Sequence, residues 1–338
     1  MDGFLGIDIS KEFLDSKLSV GASGDELVLP RVTRDRAGLR QLFREVKVLG
    51  ITKLHICMEA TGSYWNDVAL FFHKIKGASV YVVNPARIKA QRRTEQKRSK
   101  NDAIDAGVIL RFLKGNLALL SPWHPPSPAV SQLQDLVRFR DLLVRQRASL
   151  KTYRKSKDGV PIVACLSTRQ IEELDNAIDE LEKQIGSVVD RDSVLAAQKE
   201  LAESVDGIGP VASAVLLSEC RAFEEIKDPR QATAFAGLDV VEVSSGTIKK
   251  PSHISHQGSG LLRKTFVCIS AAAIRRPGRF RDFYLRLRQR GIKTKPALVA
   301  VARKLLEVTV AVVLSGRAFD PQLNRQLAGN VANSLATG

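Results

Sequence analysis

The segment Leu120-Ser-Pro-Trp-His-Pro-Pro-Ser-Pro128 sets the strongest limit on how this chain can fold. Proline has no backbone N–H and a fixed φ, so neither a helix nor a central strand runs through a stretch so rich in it. The structure must change character here. Before the break, short apolar and β-branched runs alternate with helical patterns; after it, long helical patterns dominate. With 338 residues in all, two or three compact domains are expected.

In the first part, residues 4–9 read as a strand, 14–20 as its alternating partner and 26–32 as a third strand, with links short enough for an antiparallel meander. A helix over about 36–46 follows. Next come a strand over 54–59, a helix after Ala60-Thr-Gly-Ser-Tyr64, and an apolar run over 78–83 that ends at Asn84-Pro85. Three strands and then alternating helices and strands predict an α/β domain, a mixed sheet with helices packed on it, in ribonuclease-H-like order. Beyond the break, helical spacing over 129–150 and 168–188 predicts a long helical coiled-coil connector. Its seam is Ile171, Leu174, Ile178, Leu181 and Ile185. A mainly helical C-terminal domain follows, closing on a helix over 296–314. The expected divisions are 1–120 for the sheet domain, 121–200 for linker and coiled coil, 201–320 for the C-terminal domain and 321–338 for a polar tail.

Four acids fall at informative places in this plan. Asp8 interrupts an apolar strand, Glu59 ends another, and Asp102 and Asp105 stand three apart on a predicted helix with Asn101 as its cap. Taken alone, each has an ordinary explanation: a turn, a solvent-facing end, a helix start. Taken together, they are a candidate set of hard oxygen ligands for Mg²⁺, the cation suited to carboxylates and phosphate oxygens. Metal-held charge of this kind offsets the charge that grows on a phosphodiester during cleavage.

The balance of 52 Lys and Arg against 36 Asp and Glu gives a formal charge of +16, which favours a polyanionic partner. The excess is concentrated. Arg87, Lys89, Arg92, Arg93, Lys97, Arg98 and Lys100 lie just before Asp102, and Arg138, Arg145, Lys151, Arg154 and Lys155 line the first long helix. Lys249, Lys250 and Arg263 follow in the last domain. All are candidate phosphate contacts, and nothing in their spacing separates DNA from RNA. No secretory leader or membrane-length apolar run is seen, so a cytoplasmic protein is expected. Cys57, Cys165, Cys220 and Cys268 form no CxxC pair and read as reduced thiols, three of them in apolar surroundings.

Two C-terminal features remain. Gly207-Ile-Gly209 precedes a helix and could present backbone N–H groups to a phosphate, although such turns are commonly only structural. Ser244-Ser245-Gly246 followed by Lys249-Lys250 could bring a hydroxyl close to a phosphate, and by itself reads equally as a turn.

The ordered set Gly6-Ile-Asp8, Glu59-Ala-Thr-Gly62, Asn84-Pro85, Lys100-Asn-Asp102-Ala-Ile-Asp105, Gly207-Ile-Gly209-Pro210, Phe235-Ala-Gly-Leu238, Ser245-Gly246, Ile254-Ser255, Gly258 and Leu262-Arg263 spans most of residues 4–275. On these landmarks the chain resembles the DEDD-type transposases of bacterial insertion sequences, also called bridge-RNA-guided serine recombinases. The resemblance implies a RuvC-like domain, a coiled-coil connector and a C-terminal transposase domain. It carries the catalytic acids onto Asp8, Glu59, Asp102 and Asp105, and the nucleophile onto Ser245. It further implies Mg²⁺, an element-encoded noncoding RNA that brings donor and target DNA together, and a homodimer assembling to a tetramer on the bacterial nucleoid. Ser244 stands directly beside Ser245, and His256 and Ser259 replace the Lys and Asn that the family often has.

Two other functions use part of the same residues. A RuvC-like, structure-selective nuclease needs only the four acids and leaves hydrolysed DNA. A non-enzymatic nucleic-acid-binding assembly protein needs only the basic tracks, with the acids structural.

Overall fold

The structure, a computed structural model, describes residues 1–21, 24–60, 62, 64–94, 102–156, 160–241, 244–245, 248–249 and 253–320; for 102–104, 244–245 and 248–249 it describes the backbone alone. Two compact units divide the chain, Met1–Pro125 and Pro126–Gly338. The change of structure falls within the proline-rich segment.

In the first unit β1 (Asp2–Ile9) and β2 (Phe13–Val20) form an antiparallel hairpin. In place of one third strand over 26–32, two short strands, β3 (Leu27–Val28) and β4 (Val32–Thr33), each pair with β2. Pro30 falls between them and has no N–H to continue the ladder. Then come α1 (Arg36–Lys47), β5 (Lys53–Glu59), α2 (Trp65–His73), β6 (Ala78–Val83), α3 (Pro85–Thr94) and α4 (Asp102–Asn116). The sheet order is β3-β2-β1-β5-β6, with β4 also on β2; β5 runs parallel to both β1 and β6. This is the expected mixed sheet.

Alternation along the strands sorts side chains onto two faces. Leu5, Ile7, Leu54, Ile56, Met58 and Val80 share a core with Leu39 and Leu42 of α1 and Val68 and Phe72 of α2. Phe4, Cys57, Tyr81 and Val83, from the alternate positions, pack with Ile88 of α3 and Val108, Ile109, Phe112 and Leu113 of α4. Trp123 belongs to the first core, and its N–H donates to the Val80 carbonyl at 2.6 Å. The opening of the proline-rich segment is therefore fastened to this unit.

The second unit begins with α5 (Pro128–Lys155) and α6 (Pro161–Arg191). Arg140 pairs with Glu182, Arg147 with Asp175, and Arg154 with Thr168, so the two helices run antiparallel. The observed α6 extends beyond 168–188 because Pro161, at a first-turn position that needs no donor, starts it earlier than the apolar seam alone suggests. There follow α7 (Ser193–Glu203), α8 (Pro210–Glu219), α9 (Pro229–Phe235), four two-residue strands, namely β7 (Val240–Val241), β8 (Ser244–Ser245), β9 (Ile248–Lys249) and β10 (His253–Ile254), and finally α10 (Gly260–Ala273), α11 (Arg279–Gln289) and α12 (Thr294–Ser315). A single core joins Val130, Leu133 and Val137 of α5 and Ile185 and Val188 of α6 to Leu216, Leu262, Phe266, Leu305 and Leu306. The inner ends of the long helices are thus part of the C-terminal core.

Cys57 and Cys220 are buried, but Cys165 and Cys268 are exposed, which corrects the expectation of three thiols in apolar surroundings: Cys165 sits among apolar sequence neighbours on an outward part of α6. Burial pushes the Cys57 and Cys220 thiols up to about 12, so both stay protonated at neutral pH. No helix among the described residues is long and apolar enough to cross a membrane.

Candidate catalytic site

The β1–β5 register pairs Ile7 with Met58. Asp8 and Glu59 are the next residues along these two neighbouring strands, and alternation puts both on the same face of the sheet. That face is the one covered by α3 and α4. Both acids stand at the carboxyl ends of parallel strands, where an α/β sheet leaves room for a ligand.

Gly6 brings α4 down onto this face. A Cβ at position 6 would lie 2.5 Å from both the Ala106 carbonyl oxygen and the Leu110 nitrogen, so only glycine allows the helix this close to β1. The direction of α4 follows from its contacts: Gly107 approaches Lys17, the β2 partner of Gly6, while Lys114 reaches Ser19, the partner of Phe4, at 3.0 Å. Numbers rise along α4 as they fall along β1. Asp105, one turn before Ile109, therefore lies toward the Asp8 end of the strand, and the helix begins at Asp102. Glu26 holds the helix in place through ion pairs to Lys17 at 3.1 Å and to Arg111. Burial raises the Glu26 pKa, but hydrogen bonds and charge from Arg111 and Lys17 outweigh it and hold the carboxyl below its ordinary value.

Asp105 is buried, and its carboxylate is in ion-pair contact with Arg92 of α3. The contact is made by Asp105 Oδ1, so that buried oxygen is engaged by the guanidinium, while the buried Arg92 Nε has no hydrogen-bond partner. A carboxylate is a hard oxygen donor of the kind Mg²⁺ takes, and here Arg92 already balances its charge. Among the described residues no group of three or more His, Cys, Asp or Glu stands close enough to hold a metal ion, and the Asp102 side chain lies outside them.

One acid escaped the sequence reading. Asp15 of β2 pairs with Asp8 across the hairpin and shares its face. Arg31 clamps it with three hydrogen bonds of 3.0, 3.1 and 2.7 Å. The signal was available in the alternation of Asp15 and Lys17 along β2.

In the second unit, Ser245 lies on β8 rather than in a turn; it pairs with Ile248, and Ser244 pairs with Lys249. His253 and Ile254 pair with Val241 and Val240 in a separate two-stranded sheet, so in sequence the serine hairpin lies between the strands of that second ladder, which forms its base. The side chains of Ser244, Ser245 and Lys249 lie outside the described residues, as do Lys97, Arg98, Lys100 and Lys250.

The base of the hairpin is tightly built. Ser255 bonds the Asp239 carboxylate through its hydroxyl and the Asp239 carbonyl through its N–H at 3.0 Å. His256 N–H donates to Gly237 at 3.2 Å, Ser259 N–H to Phe235 at 2.7 Å, and Arg263 to the Ala236 carbonyl at 2.8 Å. Gly258 takes φ +122°, and a Cβ there would collide with the Phe235 carbonyl. Ser259 caps α10 by accepting from Leu262 N–H at 3.1 Å, while its hydroxyl donates at 2.6 Å to the buried Glu219, which also accepts from Arg138. Phe235-Ala-Gly-Leu238, Ile254-Ser255, Gly258 and Leu262-Arg263 are thus the residues that fasten one hairpin. Glu219 and Asp239 had no sequence signal, since their partners are distant in the chain.

The other basic candidates divide. Arg138 and Arg145 pair with Glu219 and Asp141, yet remain 57% and 63% exposed, leaving surface for a phosphate. Lys151 lies 3.8 Å from Asp175, and Arg87 covers the Phe112 ring at 4.9 Å. Lys89, Arg93 and Lys155 are exposed. Gly207 takes φ +95° just before α8, as a turn there requires.

Comparison with known proteins gives the class of this molecule. Residues 5–156 match the IS110-type DEDD transposases, and residues 199–285 match the transposase IS116/IS110/IS902 family. Together these regions exceed half of the chain, and the protein belongs to this family of transposases: it is an enzyme of the transposase and recombinase class that acts on DNA. It is similar to the pilin gene-inverting proteins of Moraxella bovis and Moraxella lacunata, at 26% identity over 330 residues in each case, covering 95% of this chain and 98% of theirs.

Proposed function

We propose that this enzyme joins donor and target DNA through a covalent serine–DNA link, under the guidance of an element-encoded noncoding RNA, with Mg²⁺ held by Asp8, Glu59, Asp102 and Asp105. The observation that carries the reading is the β1–β5 register, which ends on Ile7 and Met58, the residues just before Asp8 and Glu59, together with the close approach of the Asp105 helix that Gly6 allows on the same face. The strand order supports reading the first unit as ribonuclease-H-like, the fold expected of a RuvC-like domain. Functionally, 1–120 carries the acids, 121–200 the connector, and 201–320 the nucleophile.

Mg²⁺ bound to these carboxylates supplies positive charge against the phosphoryl charge that grows during strand transfer. Ser245 Oγ attacks phosphorus; an Oγ–P bond forms as a bridging P–O bond of the DNA breaks, the serine gives up its proton, and the departing DNA oxygen takes one up. Rejoining reverses these events with a new DNA hydroxyl, so the phosphodiester energy is kept. The basic tracks of α3 and α5 position backbone phosphates of DNA or guide RNA. Four copies, as a dimer of dimers, supply one serine to each strand exchanged, at the nucleoid of a bacterial cytoplasm. The tightly fastened hairpin base favours this reading over a nuclease that uses the acids alone, and over a binding protein that needs neither acids nor serine.

Asp102→Asn tests the acid half. It removes a negative ligand at nearly constant size, so strand cleavage with cognate RNA, DNA and Mg²⁺ should slow by about 100-fold or more while RNA and DNA binding persist. Equal loss of folding and RNA binding would make Asp102 structural.

A further inference from the structure

Residues 275–295 hold nine Lys and Arg against one acid, Asp282, which leaves a local charge of +8, half of the +16 carried by the whole chain. All nine but Arg279 are exposed. They differ from the basic residues of α5 in one respect. Arg138, Arg140, Arg145, Arg147 and Lys151 each stand within ion-pair distance of an acid. Among the described residues, none of the nine over 275–295 does. A paired charge has most of its field cancelled close by, whereas unpaired cations repel one another and gain by meeting a polyanion.

The fold holds these charges along one helix and its flanks. In α11 Phe280 and Leu287 are buried, and Phe283 and Tyr284 pack against the C-terminal core. With this stripe turned inward, Arg281 and Arg288, seven residues apart, share an outward flank and stand about 10 Å from each other along the axis. Arg288 Nη1 donates to the Ile292 carbonyl at 2.7 Å, a bond that steadies the guanidinium and leaves its charge uncancelled. Arg275 and Arg276 precede the helix, and Arg290, Lys293 and Lys295 follow it. At its start the surface opens on a recess of about 390 Å³ lined by Gly207, Gly209, Arg276 and Arg279 among others.

We propose that the outer face of α11, with its two flanks, is a binding surface for duplex DNA, held through backbone phosphates without reading bases. Duplex DNA carries one charge per about 1.7 Å of its axis, a density that several unpaired cations on a rigid helix meet together. An unpaired strand is held by stacking its bases on aromatic rings, and no ring of α11 is exposed. The surface lies in the unit that carries the serine hairpin, adds to the tracks of α3 and α5, and requires neither the metal nor the serine reading.

The test is the affinity of the full-length protein for a short duplex of arbitrary sequence, followed by fluorescence anisotropy over a salt series, with single-stranded RNA of the same length in parallel. Arg281→Gln combined with Arg288→Gln should weaken duplex binding about tenfold or more and lower the slope of log affinity against log salt by about 1 for each arginine. Arg281→Lys combined with Arg288→Lys should keep most of the affinity, because a backbone contact depends on charge. Arg40→Gln combined with Arg44→Gln removes the same charge from the exposed side of α1 and should leave affinity and slope near wild type. Circular dichroism and unfolding midpoints establish that the variants are folded; single substitutions replace a double variant that is not, each with half the change in slope. An unchanged slope in the α11 variant, or an equal loss in the α1 variant, would overturn the proposal. A loss of RNA affinity as large as the loss for the duplex would overturn the choice of partner.

Discussion

Gly6 and Gly258 show how single residues position chemistry they take no part in. The first allows close approach of a helix, the second a backbone conformation that places the start of α10 against Phe235. At Gly258, a Cβ meets both a positive φ and a carbonyl oxygen, and neither yields without moving the hairpin base. Gly258→Ala should lower stability by about 2 kcal/mol in urea unfolding and reduce DNA joining, with metal binding at the acids of the first unit unchanged. Wild-type joining by this variant would show that the base does not position the serine. The sequence pointed to Asp8 and Glu59 because a charged residue in or at the end of an apolar strand stands out. It was silent on the Arg92–Asp105 contact, since side-chain partners across 95–101 are not a matter of periodicity.

At the scale of elements, α4 is where the acid half is assembled, and Glu26 is its main electrostatic tie. The Glu26 pKa is lowered in the folded protein, so its contribution is present above the ordinary value of 4.5 and is lost as pH falls through the folded value. Glu26→Gln should therefore be less stable than wild type at neutral pH, and the two unfolding midpoints should converge as the pH falls below 4.5 and through the folded value. A difference that shows no decrease as the pH is lowered through the acid range would contradict the tie. Helices and strands with regular spacing were legible from sequence, including the seam Ile171, Ile178 and Ile185, all buried. Their ends were less so: α6 starts at Pro161, before its apolar spacing begins, and the third strand breaks at Pro30. The Ser245 hairpin escaped as a hairpin because its strands are two residues long, too short for any alternation to register.

For the whole molecule, the chain carries two chemical halves in separate compact units, acids in Met1–Pro125 and the serine hairpin in Pro126–Gly338, within a strongly basic protein. The central claim is that Ser245 forms the covalent link to DNA. Trapping the reaction with cognate RNA, DNA and Mg²⁺, digesting the product and sequencing the DNA-linked peptide tests it most directly. The account predicts a link on Ser245, its loss in Ser245→Ala with RNA binding and oligomerisation intact, and a retained adduct in Ser244→Ala. A link on Ser244, a normal adduct yield from Ser245→Ala, or hydrolysed DNA with no serine adduct would contradict it.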